Sequence, residues 1–111
     1  MSFVRACTID EVPPGTVVPV DLGGDHEIAV VNTVEGVFAI RDLCSHAEYP
    51  LSEGEVDDCT LECLMHGSRF DLRTGFPLEL PAIRPVPVYP VRIEGDDILI
   101  DPDNPIDIQE P

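Results

Sequence analysis

The chain has 111 residues, of which 43% are hydrophobic, so it is long enough for one modest core and too apolar for a disordered chain. Its charge is strongly negative: 22 acidic side chains stand against six Arg and no Lys, giving a net charge of −16. This balance excludes nucleic acid as a partner, because such binding depends on neutralising phosphates with basic side chains. The acidity fits either docking to a basic protein partner or solubility alone.

Short β segments separated by turn residues follow one another along the chain, and no apolar period of 3.6 persists long enough for a helix. Residues 8–11 are expected to form one short turn. Gly-containing hairpin turns are expected at residues 22–25, 35–36 and 94–97. An all-β domain is therefore predicted. The predicted strands cover residues 3–7, 16–20, 27–33, 37–41, 60–63, 69–72, 86–93 and 98–101.

One part of the chain, about residues 42–81, differs from the rest. It is richer in Gly, Cys, His and charged residues, and its predicted strands are very short. We interpret it as a loop-built insert on a β scaffold, which is where functional sites usually lie. The whole chain, 1–111, is expected to form one domain. Its Pro-containing tail, about residues 102–111, is expected to be flexible.

Location and cysteine usage point to the same class of protein. The longest apolar run is shorter than a membrane span, and no N-terminal segment has the basic-then-apolar form of a signal peptide. We expect a cytoplasmic protein with no membrane association.

Four Cys in such a chain favour metal binding over a disulfide framework. Cys7 is expected to be a small buried hydrophobe, and Cys59 is not expected to be a ligand.

The motifs that carry chemistry are Cys44-Ser45-His46 and Cys63-Leu64-Met65-His66, with sixteen residues between His46 and Cys63. Together they offer two thiolates and two imidazoles, a set that suits a tetrahedral zinc ion or an iron–sulfur cluster. Zinc fingers usually pair Cys with Cys and His with His. Here each segment contributes one Cys and one His, as in a cluster whose two irons are held by two Cys and two His respectively. Zinc in the same ligands is the alternative.

These motifs resemble those of the Rieske family, and the small soluble Rieske ferredoxins fit best in length. Leu51-Ser52-Glu53-Gly54 after the first motif and residues 67–71, 74–75 and 81–82 after the second strengthen the likeness. The resemblance implies a Rieske fold: an antiparallel β-sandwich base with a small loop-built cluster-binding subdomain. It also implies one [2Fe–2S] cluster per chain. The implied ligands are Cys44, His46, Cys63 and His66.

The resemblance further implies a cluster environment formed by Gly67, Ser68, Phe70 and Pro81. Gly67 would permit close backbone approach, Ser68 would donate to a sulfur, and Pro81 would belong to a third loop that covers the cluster. Phe70 stands where high-potential relatives have a Tyr hydroxyl. Leu64 stands where they have a Cys that forms a disulfide between the ligand loops. A low reduction potential is therefore predicted.

The function that the resemblance implies is one-electron transfer, without catalysis and without a small-molecule substrate. Electrons would pass from a flavin-containing reductase to a terminal oxygenase of the non-haem iron dioxygenase type. Two alternatives remain. One is an auxiliary redox ferredoxin for iron–sulfur assembly or another pathway, and the other is a small subunit of a larger reductase such as a nitrite reductase.

Overall fold

A computed structural model describes residues 3–23, 27–43, 50–63, 69–78 and 86–106. They form ten strands and two 3₁₀ turns, Ile9–Glu11 and Leu51–Glu53. No helix in these ranges is long and apolar enough to cross a membrane. The strands are β1 (Val4–Thr8), β2 (Val17–Asp21), β3 (Glu27–Thr33), β4 (Gly36–Arg41), β5 (Glu55–Asp57), β6 (Thr60–Glu62), β7 (Arg69–Asp71), β8 (Val88–Tyr89), β9 (Val91–Glu94) and β10 (Asp97–Ile100).

The strands form three sheets, with strand orders β1-β10-β9, β2-β3-β4-β8 and β5-β6-β7. Every strand pair is antiparallel. The predicted all-β, antiparallel architecture is therefore confirmed. The short turn predicted at residues 8–11 is also present, where the Glu11 carboxylate accepts hydrogen bonds from the Thr8 backbone N–H and hydroxyl.

Strand β3 is buried on both faces and lies between two cores. Successive side chains of a strand point to opposite faces. On one face, Ala29 and Val31 join a core that also contains Phe70, called here the Phe70 core. On the other face, Ile28 and Val30 join a core that contains residues of β1 and β10, called here the Ile98 core. The four-stranded sheet is thus the middle layer, with the three-stranded β5-β6-β7 sheet on its Phe70 side.

The single strand predicted over residues 86–93 is wrong, because Pro90 divides it into β8 and β9. Strand β8 pairs with β4 in the four-stranded sheet, whereas β9 pairs with β10 in the sheet that contains β1. Pro has no N–H to donate to a sheet ladder, so it commonly marks the end of a strand. The chain passes from one sheet to the next at this residue.

Strand β5 was not predicted from the sequence. It pairs with β6 through a turn in which Asp58 has a φ of 52°. Near the other end of the described chain, the Ile106 N–H donates to the Val88 carbonyl at 2.7 Å, which attaches residues 102–106 to β8.

Candidate metal centre

Cys63 is the predicted ligand that the structure describes. It directly follows β6, is fully buried, and belongs to the Phe70 core. The other three predicted ligands, Cys44, His46 and His66, lie outside the described residues. Within the described ranges, no three His, Cys, Asp or Glu side chains come together as a metal site.

The second ligand motif lies in the connection between two paired strands. Strands β6 and β7 are antiparallel neighbours, with Leu61 opposite Phe70 and Glu62 opposite Arg69. The chain therefore leaves the small sheet at Cys63 and returns to it at Arg69. This pairing fixes both ends of the segment that contains Cys63 and His66.

The ends of the segment that carries the first motif are joined by hydrogen bonds. Asp42, which is only 6% exposed, accepts from the Ser52 backbone N–H at 2.6 Å and from the Ser52 hydroxyl at 2.7 Å. The Asp42 N–H donates to the Glu27 carbonyl at 2.9 Å, at the start of β3. Cys44 and His46 thus belong to a segment whose two ends meet at one buried carboxylate.

The third predicted loop also begins and ends against the small sheet. The Leu78 N–H donates to the Arg69 carbonyl at 2.7 Å, and the Val86 N–H donates to the Gly75 carbonyl at 2.8 Å. Residues 79–85 connect these two points, and they include Pro81. Pro81, Gly67 and Ser68 lie outside the described residues, so their predicted roles at the cluster stay predictions.

Phe70 is described and is fully buried at the centre of β7. It belongs to the same core as Cys63, together with Leu61, Leu72 and Val88. A Phe side chain has no hydroxyl, so it supplies no hydrogen bond to this core.

The two remaining cysteines lie in different cores. Cys7, on β1, belongs to the Ile98 core, and burial raises the pKa of its thiol. Cys59 belongs to the Phe70 core, where it precedes β6 whereas Cys63 follows that strand, so the two lie at opposite ends of β6. Burial, together with the nearby Glu35 carboxylate, raises the pKa of the Cys59 thiol. Both are free cysteines, and Cys7 is the small buried residue that was predicted.

The surroundings of Cys63 fit a metal ligand. Its neighbours in the Phe70 core are mostly aliphatic and aromatic side chains. A metal ion binds Cys as the thiolate, and the charge of the ion offsets that of its ligand in a place from which water is excluded. Two thiolates and two imidazoles are also the donor set that a mixed-ligand [2Fe–2S] cluster takes.

The Asp42–Ser52 contact was not found by sequence reasoning. Ser52 lies within the Leu51-Ser52-Glu53-Gly54 motif, which the sequence analysis used only as support for the family resemblance. Nothing in the sequence paired it with Asp42, because ten residues separate them and only the folded chain joins them.

Comparison with known proteins gives a consistent result. Residues 2–90 match the family model described as the Rieske [2Fe-2S] domain. The biphenyl dioxygenase ferredoxin subunit of Pseudomonas sp. (strain KKS102) is 42% identical over 102 residues, which cover 91% of this chain and 93% of that protein.

Two solved structures are also similar. The ferredoxin of carbazole 1,9a-dioxygenase from Nocardioides aromaticivorans IC177 superposes with a TM-score of 0.86 at 41% identity, covering 93% of this chain and 100% of that one. A chain from the complex of reduced oxygenase and oxidized ferredoxin in carbazole 1,9a-dioxygenase gives a TM-score of 0.88 at 28% identity, covering 95% of this chain and 97% of that one.

Proposed function

From the premise that this chain belongs to the Rieske [2Fe–2S] domain family, we propose that Cys44, His46, Cys63 and His66 are the ligands of its cluster. The family carries one [2Fe–2S] cluster per chain, in which two Cys hold one iron and two His hold the other. The observation that supports this assignment is the position of Cys63, buried at the start of the connection between β6 and β7. The same connection contains His66.

The chain is a Rieske ferredoxin that carries single electrons in a ring-hydroxylating dioxygenase system. Its 42% identity to a biphenyl dioxygenase ferredoxin subunit supports this function over nearly its whole length. The electron acceptor is a terminal oxygenase, and the donor is a flavin-containing reductase. The cluster accepts and releases one electron, so the protein is a carrier and not itself a catalyst.

The protein's own residues hold the cluster and set its potential. His ligands raise a Rieske potential into the range of about −150 to +300 mV, and hydrogen bonds to the sulfurs decide the position within it. Phe70 donates no such bond, so the potential lies toward the lower part of this range. A redox titration that gives a value well above about +100 mV contradicts this placement.

The ligand assignment is tested by absorption and EPR spectroscopy of the purified protein after reduction with dithionite. We expect visible absorption and a rhombic EPR signal whose average g value is lower than that of an all-cysteine [2Fe–2S] cluster. Cys63→Ser should abolish or alter this signal because it removes one thiolate ligand. Cys59→Ser is the matched control and should leave it unchanged.

Three outcomes contradict the proposal. A colourless protein that binds one zinc ion would replace the cluster by a structural metal. A wild-type spectrum in the Cys63→Ser variant would remove Cys63 from the ligand set. If the reduced protein transfers no electron to any ring-hydroxylating oxygenase, the ligand assignment would stand but the proposed function would be contradicted.

A further inference from the structure

A four-residue segment, Leu51-Ser52-Glu53-Gly54, lies between the two ligand motifs in the sequence and contacts the chain beside each of them. We call it the 51–54 brace. Its first three residues form a 3₁₀ turn, and the Gly54 N–H closes this turn by donating to the Leu51 carbonyl at 2.9 Å. Leu51 is fully buried in the Phe70 core, which also contains Cys63. The brace is therefore anchored in the core beside the second motif.

On one side, the brace is bonded to the residue that precedes the first motif. Both carboxylate oxygens of Asp42 are used: Oδ1 accepts from the Ser52 N–H and Oδ2 from the Ser52 Oγ. Hydrogen bonds to an ionised acceptor are stronger than neutral ones, and two of them fix orientation as well as distance. Asp42 stands two residues before Cys44, so the bonds act close to the first predicted ligand.

On the other side, the brace lies against the residue that precedes Cys63. A Cβ atom at Gly54 would collide with the Glu62 backbone carbonyl, so only Gly permits this approach. The chain continues from Gly54 directly into β5, whose Glu55 is the register partner of Glu62. The same four residues are thus held to Asp42 at one end and to the Glu62 backbone at the other.

We propose that Asp42 is a positioning residue for the cluster, acting through the 51–54 brace to set the first Cys–His pair relative to the second. This inference rests on the proposed ligand assignment. A cluster shared between two loops depends on the relative placement of those loops, and residues that orient metal ligands from behind contribute strongly to metal retention. The buried carboxylate has its desolvation cost offset by its two bonds to Ser52.

The test compares variants of the holoprotein in two measurements: the g values of the reduced cluster and the rate at which a chelator bleaches its visible absorption. Asp42→Ala removes both bonds, and we expect bleaching about 10–100-fold faster than in the wild type, with shifted g values. Ser52→Ala removes only the hydroxyl bond, so its bleaching rate should lie between those of the wild type and Asp42→Ala. Asp42→Asn keeps an oxygen for the Ser52 N–H and an amide group for its hydroxyl, so it should recover most of the wild-type behaviour.

Glu53→Gln is the matched control, because it removes one acidic charge from the brace itself at an exposed position. It should bleach at the wild-type rate. Far-UV circular dichroism of each holoprotein checks the fold, and if Asp42→Ala does not fold, Ser52→Ala decides the question.

The proposal is overturned if Ser52→Ala and Asp42→Ala bleach at the wild-type rate with wild-type g values. It is also overturned if Glu53→Gln has the effect of Asp42→Ala, since the cause would then be charge and not placement. Absence of the mixed-ligand EPR signal from the wild-type protein is a different failure: it overturns the ligand assignment, and this inference with it.

Discussion

Phe70 is fully buried in the core that contains Cys63. As the resemblance to the Rieske family indicates, it stands where high-potential relatives have a Tyr, whose hydroxyl can donate a hydrogen bond. A hydrogen bond to a cluster sulfur stabilises the reduced state, which carries one more negative charge, and so raises the potential. Because this chain lacks that donor, we expect its oxidised state to be relatively stable.

We therefore expect Phe70→Tyr to raise the reduction potential. A differential stabilisation of about 1 kcal/mol corresponds to roughly 40 mV for one electron. The potential is measured by redox titration followed by visible absorption or EPR. Phe70→Leu is the control, since it changes the packing without adding a donor. Equal potentials in the Tyr and Leu variants would mean that the hydroxyl reaches no sulfur.

Gly75 shows how a single backbone position fixes the chain around the third loop. Its φ is +79°, a region that side chains rarely adopt, and a Cβ atom there would collide with the Val86 carbonyl. Because the Val86 N–H also donates to Gly75, the two backbones lie in direct contact.

Gly75→Ala should destabilise the fold by more than about 2 kcal/mol, since backbone strain and overpacking add. Gly95→Ala is the matched control: Gly95 also has a positive φ, of +62°, but nothing lies within 4 Å of its Cβ position. The free energy of unfolding of the Gly95→Ala variant should fall by only about 1 kcal/mol. Thermal unfolding followed by circular dichroism gives both values, and equal losses would contradict the predicted collision.

At the level of elements, the sequence predicted some strands closely and missed others. The β3–β4 hairpin was predicted at residues 27–33 and 37–41 and is observed at Glu27–Thr33 and Gly36–Arg41. Its strands are long and apolar, and Glu35-Gly36 marks the turn. The division of β8 from β9 at Pro90 was missed because the apolar run continues through it, and only pairing partners reveal that its halves belong to different sheets.

The site shows the same division. Sequence spacing predicted the ligand set, because each motif brings one Cys and one His within a single short segment, and this set stays a prediction since the structure describes only Cys63 of the four. The Asp42–Ser52 bonds could not be predicted, since they depend on how β4 and the following 3₁₀ turn pack. Strand β5 was missed because Glu55-Val56-Asp57 is short and mostly charged, and its partner strand β6 stabilises it.

The β5–β6 pair places two negative charges opposite each other. Glu55 is the register partner of Glu62, and like charges directly across a strand pair are destabilising. Glu55→Lys should convert this pair into an opposite-charge pair and stabilise the fold by about 0.2–1 kcal/mol.

The Glu55→Lys prediction is checked by the midpoint of thermal unfolding at low salt, where a rise of a few degrees at most is expected. Asp10→Lys, at an exposed position outside the strands, changes the net charge equally and is the control. If the unfolding midpoints of both variants rise by the same amount, relief of the overall negative charge explains the gain in stability, and the cross-strand pair does not.

At the scale of the whole molecule, the arginines do little to interrupt the negative surface. In the part of the chain that the structure describes, four arginines form ion pairs with acidic side chains, so their charge is neutralised locally. The net charge of −16 is therefore spread over a surface with few competing positive sites. The pairs are Arg5–Asp97, Arg69–Asp57, Arg73–Glu35, Arg73–Asp71 and Arg92–Glu94.

If the acidity serves docking, the second-order rate of electron transfer to the oxygenase should fall as salt rises. The Debye length shrinks from about 30 Å at 0.01 M to about 8 Å at 0.15 M, and electrostatic steering accelerates association by about 10–10³-fold. Stopped-flow absorption at the cluster wavelengths measures this rate.

Reduction by dithionite is the control for salt dependence, because its rate should change with salt in the opposite direction. Dithionite is an anion that this surface repels, so its rate of reduction should rise with salt as the repulsion is screened. A transfer rate to the oxygenase that does not change with salt, alongside a rising dithionite rate, would indicate that the acidity serves solubility.

The pairing of β1 with β10 sets an order on folding during synthesis at the ribosome. Val4 is the register partner of Ile100, so the first sheet lacks its central strand until nearly the whole described chain has emerged. The β5-β6-β7 sheet, by contrast, has all its strands once Asp71 has left the exit tunnel. The nascent chain thus contains both ligand motifs and every strand of the β5-β6-β7 sheet well before the sheet of β1, β10 and β9 can be completed.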